Sequence, residues 1–305
     1  MIDEKKIIDI LTKVLSLEHD DVSFIKLGNK FLVLKCDMLV RKTDAPKNMR
    51  LWQIARKSIV ASMSDMVCKG VKPIATLISL AIPREFTRRE INELAKGFKV
   101  AEKEFDIKII GGDTNEGEDL IIDVVMAGIS DKIVRRDNAQ IGDLIISTGL
   151  FGYTGAGLRI LMNNADAEPR FRRVAINSIL LPKPRTEFLN IVGYVNSSMD
   201  SSDGLAATLN ELSDSSKKCF IIDKIPSSDD VKRFAIVNGY NAEELIFDSG
   251  EEYEIIATLP KENLDYVMSS MNVKVIGRVE EGKGVYIMNK KIRRLRRKGF
   301  IHLLE

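Results

Sequence analysis

The sequence is poor in the residues that several common enzyme chemistries need. It contains only two histidines, His19 and His302, and neither lies in a recognisable Ser/His/Asp or Cys/His setting. The three cysteines, Cys36, Cys68 and Cys219, are odd in number and far apart, so they form no metal-binding or redox spacing. Acyl transfer and zinc-dependent hydrolysis therefore have little support, and a reducing compartment is the natural setting.

Long apolar segments are also missing. No run approaches the roughly 20 residues that a helix needs to cross a bilayer. The start of the chain carries Asp3 and Glu4 and lacks the apolar core of a signal peptide. We therefore expect a cytoplasmic protein with no membrane partner.

The excess of positive charge comes from one place. The net charge is +2, but seven basic side chains lie within residues 290–298, and without them acidic residues outnumber basic ones. A nucleic-acid-binding protein usually carries a wider basic footprint. The run is therefore interpreted as a solvated face, with phosphate or nucleic-acid contact as the alternatives.

Apolar patterning predicts alternating helices and strands, which is typical of an α/β or α+β protein. A length of 305 residues corresponds to about two domains. The polar crossing near Arg136 divides the chain into a domain of residues 1–137 and a domain of residues 138–305. Within the first, Thr87 stands three residues before Glu90, a capping-box pattern that predicts the start of a helix.

Acidic residues recur where predicted strands end. Asp21 and Asp37 lie on two strands joined by a tight turn, so they can face one another. A third strand, residues 107–110, is predicted to stop at Gly111 and Gly112, and Asp113 follows at once. Paired glycines let a backbone approach a ligand, although a turn with a capping aspartate explains the same pattern.

Two further stretches have both a functional and a structural explanation. The segment 200–204 places two acids and two hydroxyls before a helix, which suits either Mg²⁺ or an N-cap by Ser202 or Asp203. The glycine-rich segment 149–157 leads a strand into a helix and is either a phosphate cradle or a surface turn. Many carboxylates without a histidine base favour metal-assisted phosphoryl transfer to or from a nucleotide.

Seven short motifs occur in the order found in thiamine-monophosphate kinases, a family of the aminoimidazole-ribonucleotide-synthetase-like superfamily. The resemblance runs from residue 19 nearly to the end of the chain. Its motifs are His19-Asp20-Asp21, Cys36-Asp37-Met38-Leu39-Val40, Ser64-Asp65-Met66-Val67-Cys68-Lys69-Gly70, Gly111-Gly112-Asp113-Thr114, the segment 148–158, Asp200-Ser201-Ser202-Asp203-Gly204-Leu205 and Gly250-Glu251-Glu252-Tyr253-Glu254.

The resemblance implies a two-domain fold whose N-terminal sheet domain forms a homodimer, and transfer of the ATP γ-phosphate to thiamine monophosphate. The metal ligands for Mg²⁺ would be Asp21, Asp37, Asp65, Asp113, Asp200 and Asp203. The residues that contact ATP would be Gly112, Asp113, Arg136 and Ser202. Those beside the thiamine substrate would be Asp44, Glu251 and Phe300. No general base is expected, since the acceptor is a phosphate oxygen that is already anionic.

The sequence departs from the family pattern at His19, Cys36, Ser249 and Glu252, which leaves the main carboxylates intact. Crowded acids repel one another, so we expect a strained site that tightens when metal binds. A related ATP-dependent enzyme with another small-molecule substrate remains an alternative. A non-catalytic protein that binds nucleotide or nucleic acid is a second.

Overall fold

The computed structural model describes residues 4–18, 20–289 and 291–299 and contains two β-sheets. The strands of the first sheet are β1 (Ser23–Leu27), β2 (Lys30–Val40), β3 (Pro73–Ile82), β4 (Ile109–Glu116) and β5 (Ile121–Ser130). The helices of this half are α1 (Glu4–Leu15), α2 (Arg41–Asp44), α3 (Leu51–Cys68) and α4 (Arg88–Phe105). The strand order is β1-β2-β5-β3-β4, and only the β3–β4 pair is parallel.

The second half forms a seven-stranded mixed sheet with helices. Its strands are β6 (Leu144–Ser147), β7 (Ser197–Asp200), β8 (Cys219–Ile222), β9 (Ile255–Leu259), β10 (Lys274–Glu280), β11 (Gly284–Met288) and β12 (Ile292–Arg294), in the order β12-β11-β8-β10-β6-β9-β7. Its α-helices are α5 (Tyr153–Asn163), α6 (Pro169–Leu180), α7 (Leu205–Ser216), α8 (Asp229–Asn238) and α9 (Leu264–Ser270). A π-helical turn spans Glu244–Asp248, and short 3₁₀ turns span Thr186–Asn190, Val192–Tyr194 and Lys261–Asn263.

Helix α3 joins the two halves. It is buried along nearly its whole length, because it packs against α4 and the first sheet on one side and against β7 and Thr186–Asn190 on the other. A helix without a solvated face also buries its polar side chains, here including Lys57, Ser64 and Asp65. The fold therefore places charged groups at the junction of the halves.

The two halves also share apolar packing. One core cluster combines Val33, Ile59 and Val124 of the first half with Ile146 and Ile255 of the second. A separate cluster lies wholly in the second half. The mixed α/β architecture with two sheets confirms the predicted fold class, and the division at residues 137 and 138 stays a prediction.

The capping box at the start of α4 is confirmed. The Thr87 backbone N–H donates to Glu90 Oε2 at 2.8 Å, and the Glu90 N–H donates to Thr87 Oγ1 at 3.4 Å. No helix of the described chain combines the length and apolar composition that a membrane span requires.

The prediction that a strand stops at Gly111 and Gly112 is wrong. Strand β4 runs through both glycines and Asp113 to Glu116, parallel to β3. A Cβ at Gly112 would lie 1.7 Å from the carbonyl oxygen of Ile78, so this glycine permits close approach of the neighbouring strand. Asp113 therefore lies within a strand and does not follow a turn.

The segment that leads into β9 is not extended. Strand β9 begins only at Ile255. Glu251 and Tyr253 instead have left-handed backbone angles, with φ of 65° and 51°. Such values are uncommon outside glycine and indicate that surrounding contacts hold this segment in place.

Candidate active site

A group of acids lies where the end of α3 meets the loop before β1. Oxygens of Asp21 and Asp65 and the sulfur of Cys68 all lie within 4.8 Å of one another, and all three residues are buried. The Cys68 thiol donates to the Asp65 carbonyl at 3.2 Å and to Asp21 Oδ2 at 3.7 Å. Burial raises the pKa of Cys68 well above its usual value, so this residue stays a neutral thiol.

Two buried cations, Lys69 and Arg136, neutralise Asp20 and Asp21. Lys69 Nζ lies 2.8 Å from Asp20 Oδ1 and 2.7 Å from Asp21 Oδ2, and Arg136 pairs with the same two carboxylates. Burial acts to raise the pKa of Asp21, but Lys69 and Arg136 outweigh it and lower that pKa to about 2. Asp21 is therefore ionised at neutral pH.

A third cation bridges the next two acids. Lys35 Nζ lies 2.6 Å from Asp65 Oδ2 and 3.3 Å from Asp37 Oδ1. Lys35 and Asp37 lie two positions apart on β2, so their side chains share the face that α3 covers. The predicted repulsion between uncompensated acids is thus relieved by the chain's own basic groups.

Asp200 completes this group at the end of β7. Burial and the charge of Asp21 raise the pKa of Asp200 to about 7. Burial and the nearby charge of Asp200 likewise contribute to a raised pKa of Asp65, against the opposing effect of Lys35. We call Asp21, Asp37, Asp65 and Asp200 the carboxylate cluster.

The donor set of the carboxylate cluster suits a hard divalent cation. Carboxylate oxygens are the ligands that Mg²⁺ prefers, and the one nearby sulfur is an un-ionised thiol. The hydroxyl of Ser201, next to Asp200, is buried without a hydrogen-bond partner within the described part of the chain. An unsatisfied buried hydroxyl beside such acids is consistent with a site that accepts an additional ligand.

A second group gathers two predicted substrate contacts. Lys57 pairs with the Glu251 carboxylate and donates to the backbone carbonyl of Asp44 at 2.6 Å. Asp44 Oδ2 accepts from the Val40 N–H at 2.7 Å, which ties the short helix α2 to the end of β2. The structure therefore places Asp44 and Glu251 on the same buried lysine, although they are 207 positions apart in the printed numbering.

The loop after β7 is joined to the Glu251 segment by backbone hydrogen bonds. The Glu251 N–H donates to the Ser202 carbonyl at 2.6 Å, and the Tyr253 N–H donates to the Ser201 carbonyl at 3.1 Å. Ser202 is half-buried, whereas Asp203 is exposed. This pairing links the predicted metal, nucleotide and substrate residues of the second half.

Gly112 and Asp113 lie away from the carboxylate cluster within one chain. Two strands separate edge strand β4 from β2, which corresponds to about 14 Å between the strands that carry Asp113 and Asp37. Across the sheet, Asp113 is aligned with Ser79 and Asp123. Asp37 lies one position along from this row, and neighbouring positions of a strand point to opposite faces. Asp113 thus belongs to the opposite, outer face of the sheet.

The domain family described as "AIR synthase related protein, N-terminal domain" matches residues 19–130. A thiamine-monophosphate kinase from Nitrosopumilus maritimus is 42% identical, with 99% of this chain and 98% of that protein aligned. One from Pyrococcus horikoshii is 35% identical, with 93% and 90% aligned. The structure of AaThiL complexed with AMPPCP and TMP matches with a TM-score of 0.90 at 30% identity, covering 99% of this chain and 97% of that one.

The chain belongs to the thiamine-monophosphate kinase family. The resemblance stated from the seven motifs is thereby confirmed, together with the fold class. No comparison tests the individual site residues. Of the predicted positions, Phe300 lies outside the residues that the structure describes, as do His19 and His302.

Two other acids of this family member, the half-buried Glu252 and the buried Glu254, serve a structural purpose. Glu252 Oε1 accepts from the backbone N–H groups of Gly152 and Thr154, at 2.7 and 3.1 Å, at the start of α5. Glu254 pairs with the Arg185 guanidinium and accepts from Thr148 Oγ1 at 2.6 Å. An internal carboxylate therefore occupies the glycine-rich helix start, so the phosphate-cradle alternative loses its support.

Three basic side chains of the run pair with acids of the same chain. Arg293 lies 2.6 Å from Glu243, Arg297 lies 2.6 Å from Glu211, and Lys298 lies 3.5 Å from Asp248. Glu211 also lies 3.3 Å from Arg136, so one buried acid connects the run to the carboxylate cluster. These pairs favour an internal structural role over a nucleic-acid surface.

Sequence reasoning missed the cations of the site, chiefly Lys35, Lys57 and Lys69. A signal was available for two of them: Lys35 shares a strand face with Asp37, and Lys69 follows Asp65 by four positions. Lys57 had no local signal, because its partners lie on other elements.

Proposed function

We propose that this chain transfers the γ-phosphate of ATP to thiamine monophosphate, forming thiamine diphosphate and ADP. Membership of the family supports this proposal, as does the related complex with AMPPCP, a non-transferable ATP analogue, and TMP. The observation that carries it is the carboxylate cluster at the junction of the two halves, surrounded by the side chains of Lys35, Lys69 and Arg136.

The geometry supports direct transfer without a general base. The acceptor oxygen belongs to a phosphate and is already anionic near neutral pH, so no side chain has to remove its proton. The described site offers positive charge from Lys35, Lys69 and Arg136 to the phosphates. Positioning and charge neutralisation are the main contributions that such a transfer needs.

Mg²⁺ is the proposed metal, with Asp21, Asp37, Asp65 and Asp200 as its ligands. When bound, it would neutralise charge on the phosphate oxygens. Asp203 remains a further candidate ligand, since its loop follows Asp200 directly. Arg136 and Ser202 remain the proposed nucleotide contacts beside this cluster.

Asp44 and Glu251 are the proposed contacts of the substrate. Thiamine carries a cationic thiazolium ring. The acidic groups close to Lys57 can balance that charge if the ring replaces the lysine as their partner. Phe300 stays a prediction for a ring contact.

We infer that the active form is a homodimer assembled through the outer face of the first sheet. Large apolar side chains are exposed there, including Leu34, Met38, Leu77 and Ile129. An exposed apolar face of this kind indicates a protein interface. Because Asp113 belongs to this face, Gly112 and Asp113 are proposed to bind nucleotide and metal only in the assembled dimer.

A cytoplasmic location is also proposed, supported by three free cysteines, Cys36, Cys68 and Cys219. A related superfamily activity is the second candidate, favoured by the departures at Cys36 and Glu252. The acceptor assay below distinguishes the two.

The test is to incubate purified protein with ATP, Mg²⁺ and thiamine monophosphate and to measure ADP and thiamine diphosphate. We expect both products in equal amounts, and none with unphosphorylated thiamine as the acceptor. ADP release no greater than in the control without acceptor would contradict the kinase assignment.

A further inference from the structure

Lys35 lies in an unusual position for a lysine. Its ammonium is placed between two carboxylates of the cluster, 2.6 Å from Asp65 Oδ2 and 3.3 Å from Asp37 Oδ1. Its side chain keeps 17% of its exposure, whereas that of Lys69 is completely buried. Lys35 therefore lies at the open side of the cluster, on a flexible stem that permits movement.

The Lys35 ammonium supplies these acids with the positive charge that a metal ion would supply. Burial opposes its charge, but Asp65 and Asp37 outweigh burial and raise the pKa of Lys35, so it is fully charged. The oxygen of Asp65 that it holds is then not available as an inner ligand for a metal ion. Asp21 has its own direct partners, Lys69 and Arg136, so the contacts of Lys35 can change while those of Asp21 stay in place.

We propose that Lys35 is a resident counter-cation that occupies the place of a divalent ion between Asp37 and Asp65 in the nucleotide-free enzyme. It must leave Asp65 before that carboxylate binds metal. The phosphates of the nucleotide give the displaced ammonium a new anionic partner, so metal loading is coupled to nucleotide binding. The inference rests on the proposed function of the carboxylate cluster as a metal site.

The test measures Mn²⁺ binding to the full-length, nucleotide-free protein by electron paramagnetic resonance of the unbound ion. We expect Lys35→Met to bind Mn²⁺ at least about tenfold more tightly than wild type, because a competing charge is removed. Lys35→Arg keeps the charge and should bind no more tightly than wild type. The matched control is Lys72→Met, which removes an exposed lysine paired with Asp106 and should leave Mn²⁺ affinity unchanged.

Asp65→Asn, alone and combined with Lys35→Met, separates the existence of the metal site from the role of Lys35. Loss of Mn²⁺ binding in both backgrounds locates the ion at the cluster. If binding is lost there but Lys35→Met binds no more tightly than wild type, the resident-cation role is wrong while the metal site stands. If Asp65→Asn keeps the affinity of its parent, both the metal site and the inference fail.

A melting experiment covers the case in which Lys35→Met is unstable. Without its cation the acid pair repels, so Lys35→Met and Lys35→Gln should melt lower than wild type and gain more from added Mn²⁺. An equal Mn²⁺-induced shift in melting temperature for wild type and both variants would overturn the inference.

Discussion

The molecule buries acidic side chains in two neighbouring places and neutralises them differently. The carboxylate cluster is balanced by side-chain cations on several elements, and burial still raises the pKa of Asp200 to about 7. Glu252 and Glu254 are held by backbone N–H groups, a hydroxyl and one guanidinium. The first arrangement depends partly on lysine side chains with flexible stems, whereas the second depends on groups fixed by the backbone and by a guanidinium pair.

This contrast teaches which buried acids indicate a binding site. Burial alone does not separate Asp200 from Glu254, since both are almost inaccessible. The partners do separate the two places: the Lys35 ammonium on Asp65 can exchange with another cation, whereas the backbone N–H groups that hold Glu252 at the start of α5 cannot leave without local unfolding. We therefore expect substitutions in the carboxylate cluster to reduce mainly activity, and substitutions of Glu252 and Glu254 to change mainly stability.

The largest expected effect comes from Asp65→Asn. We expect kcat to fall at least about 1000-fold, equal to roughly 4 kcal/mol of transition-state stabilisation, because a central ligand and its charge are lost. Asp113→Asn should be similarly inactive if the proposed dimer is correct. Steady-state assays of both purified variants, with circular dichroism as the folding control, measure this.

A heterodimer of the Asp65→Asn and Asp113→Asn chains sharpens this prediction. If Asp113 of the partner subunit completes each site, one of the two sites is intact, and roughly half of the wild-type activity returns. Co-expression with two affinity tags isolates that species. An inactive heterodimer would indicate that Asp113 acts within its own chain or has only a structural role.

The next effect is on stability. Glu254→Gln breaks the pair with Arg185, and we expect the free energy of unfolding to fall by about 2 kcal/mol, because the pair is mostly buried. Urea denaturation measures this loss. The matched control, Glu243→Gln, breaks the exposed pair with Arg293 and should cost less than about 1 kcal/mol. Equal losses in the two variants would contradict the distinction.

The last effect is a pH dependence at Glu252. Burial raises its pKa from 4.5 to about 7, although the N–H groups of Thr154 and Gly152 act against this. Between those values the folded protein holds a proton that the unfolded chain releases, so this contribution to stability is present below pH 4.5 and is lost as pH rises through about 7.

Glu252→Gln removes that titration. Its stability relative to wild type should therefore increase between pH 5 and 8, by roughly 2 kcal/mol, whatever constant difference the lost cap introduces. Urea titrations at several pH values measure it. Parallel stability curves for the two proteins would show that Glu252 does not titrate in this range.

Much of the fold was predictable where the signal is local. The capping box of Thr87 and Glu90 predicted the start of α4, because both partners lie within one helical turn. The end of the strand at Gly111 was predicted wrongly, because glycine usually interrupts strands. The deciding neighbour is Ile78 on β3, 34 positions away, whose carbonyl leaves no room for a side chain at Gly112.

The sequence by itself determined the family, the alternation of helices and strands, and the acids of the carboxylate cluster, since these depend on ordered motifs and local periodicity. Only the tertiary structure decided how those acids are neutralised. Lys35, Lys69 and Arg136 come from a strand, a helix end and a connection far apart in the chain. Electrostatic partners are chosen by distance in space, and that distance is set when α3 packs between the two halves.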